Sequence, residues 1–285
     1  MAICAMAITP GQVRWLNENA DTTRIVGMLV DARDSLSGSR DAASYVVPFA
    51  RRMLDATYAA GTLEASRPGD EELLTVSLDS LDCTTFVETV AALAITAADG
   101  RTSWRDFINN LESLRYRSGE INGYASRLHY VSDWIINNSS RGNITEATGR
   151  IPSCGYEVKS LDFMTAHRDL YPALASDDDA YRRMRNVEDG YRNHRFPIIK
   201  KRLLLTDKKT IASLREGDIV AITGNTPGLD VIHMGIITIS DDGTPRLIHA
   251  SSAAGKAIID PLPLGEYLKR SKKATGVRIL RLNAR

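Results

Sequence analysis

Leu81-Asp82-Cys83-Thr84-Thr85-Phe86-Val87-Glu88 places a cysteine where a helix begins. Beyond it Phe86, Val87, Val90, Ala91, Leu93, Ala94 and Ala97 recur at helical spacing until Asp99-Gly100 ends the run. Asp82 then serves as N-cap and Cys83 falls in the first turn. A thiol there meets backbone N–H groups and the positive end of the helix dipole. Both favour thiolate, so the reading predicts a lowered pKa and a nucleophile.

The remaining apparatus lies far downstream. Leu229 to Ile239 is a β-rich run with His233 near its start, Asp241-Asp242-Gly243 supplies a turn, and Arg246 to Ser251 carries His249. An odd number of loop residues puts both histidines on one face of an antiparallel hairpin, about two residues out of register. One imidazole can then act as base while the other positions it. Taken singly, a helix-start cysteine or a strand histidine is ordinarily core or surface. The three in this order raise the functional reading well above that.

The wording around these residues resembles the NlpC/P60 cysteine peptidases. Asp82-Cys83-Thr84, His233-Met234-Gly235-Ile236 and Ile248-His249-Ala250 match that superfamily's pieces, and Gly217-Asp218-Ile219-Val220 matches its preceding strand. Tyr58 and Gly61 fit a Tyr and a Gly found some distance before the nucleophile. Within the superfamily the chain looks most like the DUF1460 amidase branch. Ala60 to Glu64, Leu81 to Glu88, Tyr124 to Tyr130 with Ser132 to Ile135, and Gly228 to His233 carry that likeness, which runs from about Tyr45 to the end. It implies an α+β, papain-like fold, with the Cys83 helix packed on a small antiparallel sheet. It also implies hydrolysis of the amide joining N-acetylmuramic acid to L-alanine in peptidoglycan fragments, with the anhydro sugar preferred.

The chain has 285 residues, 43% of them apolar and 25% charged, enough for one large domain or two small ones. A net charge of +1 argues against nucleic-acid or anionic-membrane partners. Three cysteines make no disulfide framework, and Cys4 and Cys154 read as structural. No run approaches the length of a membrane span, and no cofactor is implied. Residues 1–9 are apolar without a charged start; Ala5-Met6-Ala7 resembles a cleavage site, so the end of a signal peptide and an ordinary N-terminus both stay open. The family resemblance places the protein in the bacterial envelope or periplasm.

Residues 1–40 read as a helical N-terminal segment, with a helix from Val13 to Leu36 and a break at Ser37-Gly38-Ser39. Residues 41–285 read as the catalytic domain. A second helix, from Asp41 to Ala59, carries Tyr58 to the edge of the site, with Pro48 tolerated only in its first turn. Between nucleophile and base, about 101–215 form an insertion starting with a helix from Trp104 to Leu114; inserted segments beside a site commonly choose substrate. Arg127, His129 and Asp133 are the candidates there, since arginine grips carboxylates in a two-pronged way. His129 and Asp133, four apart, could instead pair with each other or, less readily, hold a metal. Asp82 reads as a cap or as a ligand of a substrate amine, and Asp230 joins the substrate-binding candidates through the resemblance.

Gly217 to Gly224, the two histidine runs, a strand near Ala257 to Ile259, a helix from Leu264 to Arg270 and a strand from Gly276 to Leu282 complete the expected sheet. In the resulting scheme Cys83 attacks, His233 is the base and His249 its positioner. Cys83 N–H and Tyr58 are oxyanion donors, and activity falls when His249 protonates at mildly acidic pH. Competing readings are a zinc hydrolase using Cys83, His233 and His249, a wall-binding protein with a relic site, and an endopeptidase cutting between D-glutamate and the diamino acid.

Overall fold

The computed structural model describes residues 12–35, 40–64 and 71–283. Residues 1–9, with Cys4, and the Ser37-Gly38-Ser39 break lie outside the described residues. In chain order come β1 (Val13–Trp15), α1 (Glu18–Ser35), α2 (Ala43–Arg52), β2 (Thr57–Tyr58), β3 (Leu74–Val76), β4 (Ser80–Leu81), α3 (Cys83–Ala98) and α4 (Trp104–Arg115). Next are α5 (Val131–Ser140), β5 (Ile144–Glu146), β6 (Gly155–Lys159), β7 (His194–Lys200), β8 (Ile219–Gly224) and β9 (Val231–Ile239). β10 (Pro245–Ser251), β11 (Lys256–Pro263), a helix Leu264–Arg270 and β12 (Ala274–Leu282) close the chain.

α3 is apolar on every side, and all residues from Thr85 to Ala98 are buried, as befits a helix at the centre of a core. Its start is over-determined. The Asp82 carboxylate accepts from Thr84 N at 3.0 Å and Thr85 N at 2.8 Å, while Thr85 Oγ1 takes the Asp82 N–H at 2.9 Å, closing a reciprocal capping box. Gly100, at φ +70°, follows its last turn.

Against α3 lies a sheet with the order β4-β2-β11-β10-β9-β8-β12-β7-β6, and β5 also pairs with β12. Its ladders are antiparallel except β2 with β4. The mixed α+β architecture stands, but the sheet is larger than expected because the insertion supplies β5, β6 and β7. Arg278 of β12 reinforces this union, donating to Glu146 at 2.7 and 2.9 Å and to Ser132 at 2.5 Å. Met234, Ile236, Ile248 and Ala250 pack with α3 on one face. Val220, Ile237 and Leu247 pack with Leu264 and Leu268 on the other. The pair His233 and His249 shares this second face by strand alternation.

Two expected helices differ. Val13–Trp15 is not helical, because it pairs in parallel with Leu74–Val76; the helix begins at Glu18, and its Ile25, Met28 and Leu29 are buried as the stripe predicts. α2 ends at Arg52, with Pro48 inside it and not in its first turn. Asp55 then turns in the left-handed region, φ 67°, and Tyr58 arrives on β2 instead of a helix. β2 pairs Tyr58 with Leu81, so the tyrosine still lies beside the Asp82-Cys83 start.

Beneath α3, Glu88 and Arg115 form an ion pair at 2.6 Å, each side chain 2% exposed, and Arg115 also donates to Thr75 O at 2.6 Å. Arg115→Met leaves a buried carboxylate without its cation and should cost about 3–5 kcal/mol. Urea unfolding measures that loss; a change below about 1 kcal/mol would show the pair to be dispensable.

Candidate active site

Cys83 is the first residue of α3 and is half-buried. The backbone amide of Met234 faces its sulfur, which ties the thiol to the residue after His233, and Thr84 Oγ1 lies 3.9 Å from Sγ. The expected lowering of its pKa is not what the surroundings produce. Burial pushes the thiol up, to about 11, and the Asp82 carboxylate adds to it; the Met234 amide and Thr84 hydroxyl oppose this and lose. Helix position alone was the wrong guide, because burial outweighs it and the cap that starts the helix also brings an anion to the sulfur. The resting group is a thiol.

β9 and β10 pair as Ile239 with Pro245, Thr238 with Arg246, Ile237 with Leu247 and Ile236 with Ile248. One step further, His249 falls opposite Gly235, two residues from His233 on the same face. His233 Nε2 and His249 Nδ1 lie 2.7 Å apart, with the rings edge to face at 89°. Gly235 is required here: a Cβ would meet Leu247 Cδ1 at 2.7 Å and Ile248 O at 3.0 Å. Burial, with the neighbouring His249, pushes His233 down to about 3 despite Asp82; burial pushes His249 down to about 4. Both imidazoles are therefore neutral through the mildly acidic range where loss of activity was expected, since desolvation disfavours the charged ring.

Tyr58 is half-buried, and its hydroxyl is pushed up by burial, Cys83 and Asp82, which places it within their reach. Two further residues complete the surroundings and were missed from the sequence. Tyr267 stacks edge to face on His249 at 5.3 Å between centroids and lies 6.4 Å from His233. Asp260 Oδ2 stands 3.6 Å from His249 Nε2. The legible signal was Asp260 itself, an acidic residue ending the apolar Ala257-Ile258-Ile259 run; His249 pairs with Ile258, so Asp260 shares its face.

A sequence profile of the N-acetylmuramoyl-L-alanine amidase-like family, AmiA-like, matches residues 48–277, a span holding Cys83, both histidines and Tyr58. The chain belongs to this family. Among solved structures it is similar to an N-acetylmuramoyl-L-alanine amidase from Bacteroides uniformis, at 37% identity and TM-score 0.78, covering 85% of this chain and 99% of that one. A Bacteroides fragilis protein provisionally named a xylanase has 37% identity and TM-score 0.74, over 82% and 98%. A Legionella pneumophila protein of the DUF1460 family shares the fold at 20% identity and TM-score 0.70, over 93% and 95%. No curated protein matches the chain.

For this family member the candidate substrate residues in the insertion are engaged internally. Arg127 is 5% exposed and is held by Glu64 at 2.9 Å and Glu72 at 3.2 Å. Asp133, 1% exposed, accepts from Arg117 and from Tyr191 Oη at 2.7 Å. It does not pair with His129, which precedes α5 and meets Tyr124 O at 2.9 Å. Asp230 Oδ2 accepts from Ser132 N at 2.7 Å, capping α5 from the start of the His233 strand. Arg127 and Asp133 are thus held by partners within the chain, and Asp230 ties the start of the strand that carries His233 to α5.

Among the described residues no group of three or more His, Cys, Asp and Glu is arranged to hold a metal ion. His233 and His249 aim nitrogens at each other and not at a common point, so the zinc reading lacks its geometry. Among the described residues no helix is long and apolar enough to cross a membrane.

Proposed function

We propose that the chain is a cysteine hydrolase of the NlpC/P60 type, with a papain-like core, that cleaves the N-acetylmuramoyl-L-alanine amide of peptidoglycan fragments in the cell envelope. The observation that carries it is the His233–His249 couple at 2.7 Å, with the amide of the adjoining Met234 turned to a half-buried thiol at a helix start, in an amidase-like family member. Anhydro-muropeptides are the preferred form, on the strength of the DUF1460 likeness. Xylan cleavage fits less well: it takes a pair of carboxylates astride the sugar bond, and here Asp82 is committed to its cap.

His233 Nε2 is taken by His249, which leaves Nδ1 to act on substrate. As Sγ attacks the lactyl carbonyl carbon, the S–H proton passes to Nδ1 and charge develops on the carbonyl oxygen, where Cys83 N–H and Tyr58 Oη supply hydrogen bonds. Nδ1 then protonates the departing alanine nitrogen, and the muramoyl group remains as a thioester. Water, deprotonated by the same nitrogen, releases it. Because the thiol is protonated at rest, base and nucleophile must act together.

Tyr58→Phe removes one donor to the developing oxyanion and should lower kcat about 100-fold with KM little changed, read from initial rates. Equal rates for the two proteins would remove Tyr58 from the site. Mass spectrometry of the products from a defined anhydro-muramoyl tripeptide tests the reading as a whole. Free tripeptide plus anhydro-sugar supports it, whereas a cut between D-glutamate and the diamino acid replaces it with the endopeptidase activity.

A further inference from the structure

His249 is 1% exposed, and its Nε2 is buried with no hydrogen-bond partner among the described residues. The groups facing the ring are His233 from β9, the Tyr267 ring from the helix Leu264–Arg270, and Asp260 from β11. Of these only Asp260 addresses Nε2, with Oδ2 at 3.6 Å; its Oδ1 is fixed by the amide of Leu262 at 2.9 Å. We propose that Asp260 is the positioning residue at the end of a four-membered line, Cys83–His233–His249–Asp260, and that its carboxylate sets the tautomers of both imidazoles. This rests on the proposed Cys83 mechanism but not on the substrate.

The reasoning is proton counting. Were His249 protonated on Nδ1, its bare Nε2 lone pair would face a carboxylate oxygen in a buried site, two acceptors with no proton between them. With the proton on Nε2, a 3.6 Å approach needs only a small side-chain movement to become a hydrogen bond, and Nδ1 becomes an acceptor. The 2.7 Å contact then requires His233 to donate through Nε2–H. A neutral His233 with that proton has its lone pair on Nδ1, the form that can take the S–H proton. When it does so, the imidazolium donates along the same line and Asp260 lies at its far end to favour the positive charge. A neutral imidazole in third place is thereby given the directing role a carboxylate has when it bonds the base itself.

The two obvious variants separate this role from a structural one. Asp260→Asn is nearly isosteric and keeps Oδ1 for Leu262 N–H, which places its NH2 against His249. Two donors cannot meet there, so His249 turns to the Nδ1–H tautomer, His233 must carry its proton on Nδ1, and the base is blocked. Asp260→Ala removes the director without imposing the wrong tautomer. The rate of Cys83 alkylation by iodoacetamide at neutral pH, which needs no peptidoglycan, should fall about 10-fold in the Ala variant and about 100-fold in the Asn variant. Long-range 15N–1H spectra of 15N-histidine protein should show His249 protonated on Nε2 in the wild type and on Nδ1 in Asp260→Asn. An Nδ1–H wild type, an unchanged Asn variant, or an Ala variant worse than Asn would overturn the proposal. Failure of muramoyl amide cleavage with these results intact would instead count only against the substrate assignment.

Discussion

Cys83→Ala should leave a folded protein with essentially no turnover, a loss on the order of 10⁴- to 10⁶-fold in kcat. The residue is the first of α3 and half-buried, and alanine is the best helix former, so stability should shift by less than about 0.5 kcal/mol. The cap is untouched, because Asp82 bonds Thr84 N and Thr85 N and does not need the sulfur. What disappears is the atom that the Met234 amide and Asp82 surround. Initial rates on the anhydro-muramoyl tripeptide, with thermal unfolding of the same preparations, give both numbers. Activity within tenfold of wild type would mean that Cys83 is not the nucleophile.

The second large effect is in pH. His233 is held down to about 3 and His249 to about 4, while Cys83 is pushed up to about 11, each by burial first. The competent form carries one proton on the thiol and none in excess on the imidazole pair. kcat/KM should therefore stay level from about pH 5 to 10, falling below about 4 and near 11, the limbs belonging to the coupled groups as a set. The sign for stability follows from the same shifts. Each folded-state histidine pKa lies below its unfolded value, so the neutral rings add stability that is whole above the ordinary 6.5 and is lost as pH falls through about 4 and then 3. Short assays after acid preincubation separate reversible titration from unfolding. An acid limb near 6.5 would show that the pair is solvated and the burial argument mistaken.

What could be read in the chain was what depends on near neighbours. The α3 period, the Asp82 cap, the two-residue offset of His233 and His249 and the helix Leu264–Arg270 are all encoded within about twenty residues. Elements whose partners are distant could not be placed that way. β1 is a strand only because Leu74–Val76 pairs with it, and β5 and β7 belong to the sheet only because β12 receives them. The substrate candidates show the same limit at the level of side chains. Arg127 presents itself as a free cation until Glu64 and Glu72 come to it, and Asp133 as a free carboxylate until Arg117 and Tyr191 do. The thiol pKa was misjudged for a related reason: helix position is local, while burial is a property of the whole packed site.

The most direct test is to catch the covalent intermediate. Wild-type protein mixed with anhydro-muramoyl tripeptide, quenched in acid within the first turnover and digested, should yield a Cys83 peptide heavier by the anhydro-muramoyl group, with free tripeptide formed in equal amount. The Cys83→Ala protein should give neither. Tripeptide released in a first turnover without any adduct on Cys83 would contradict the central claim that this thiol takes the acyl group.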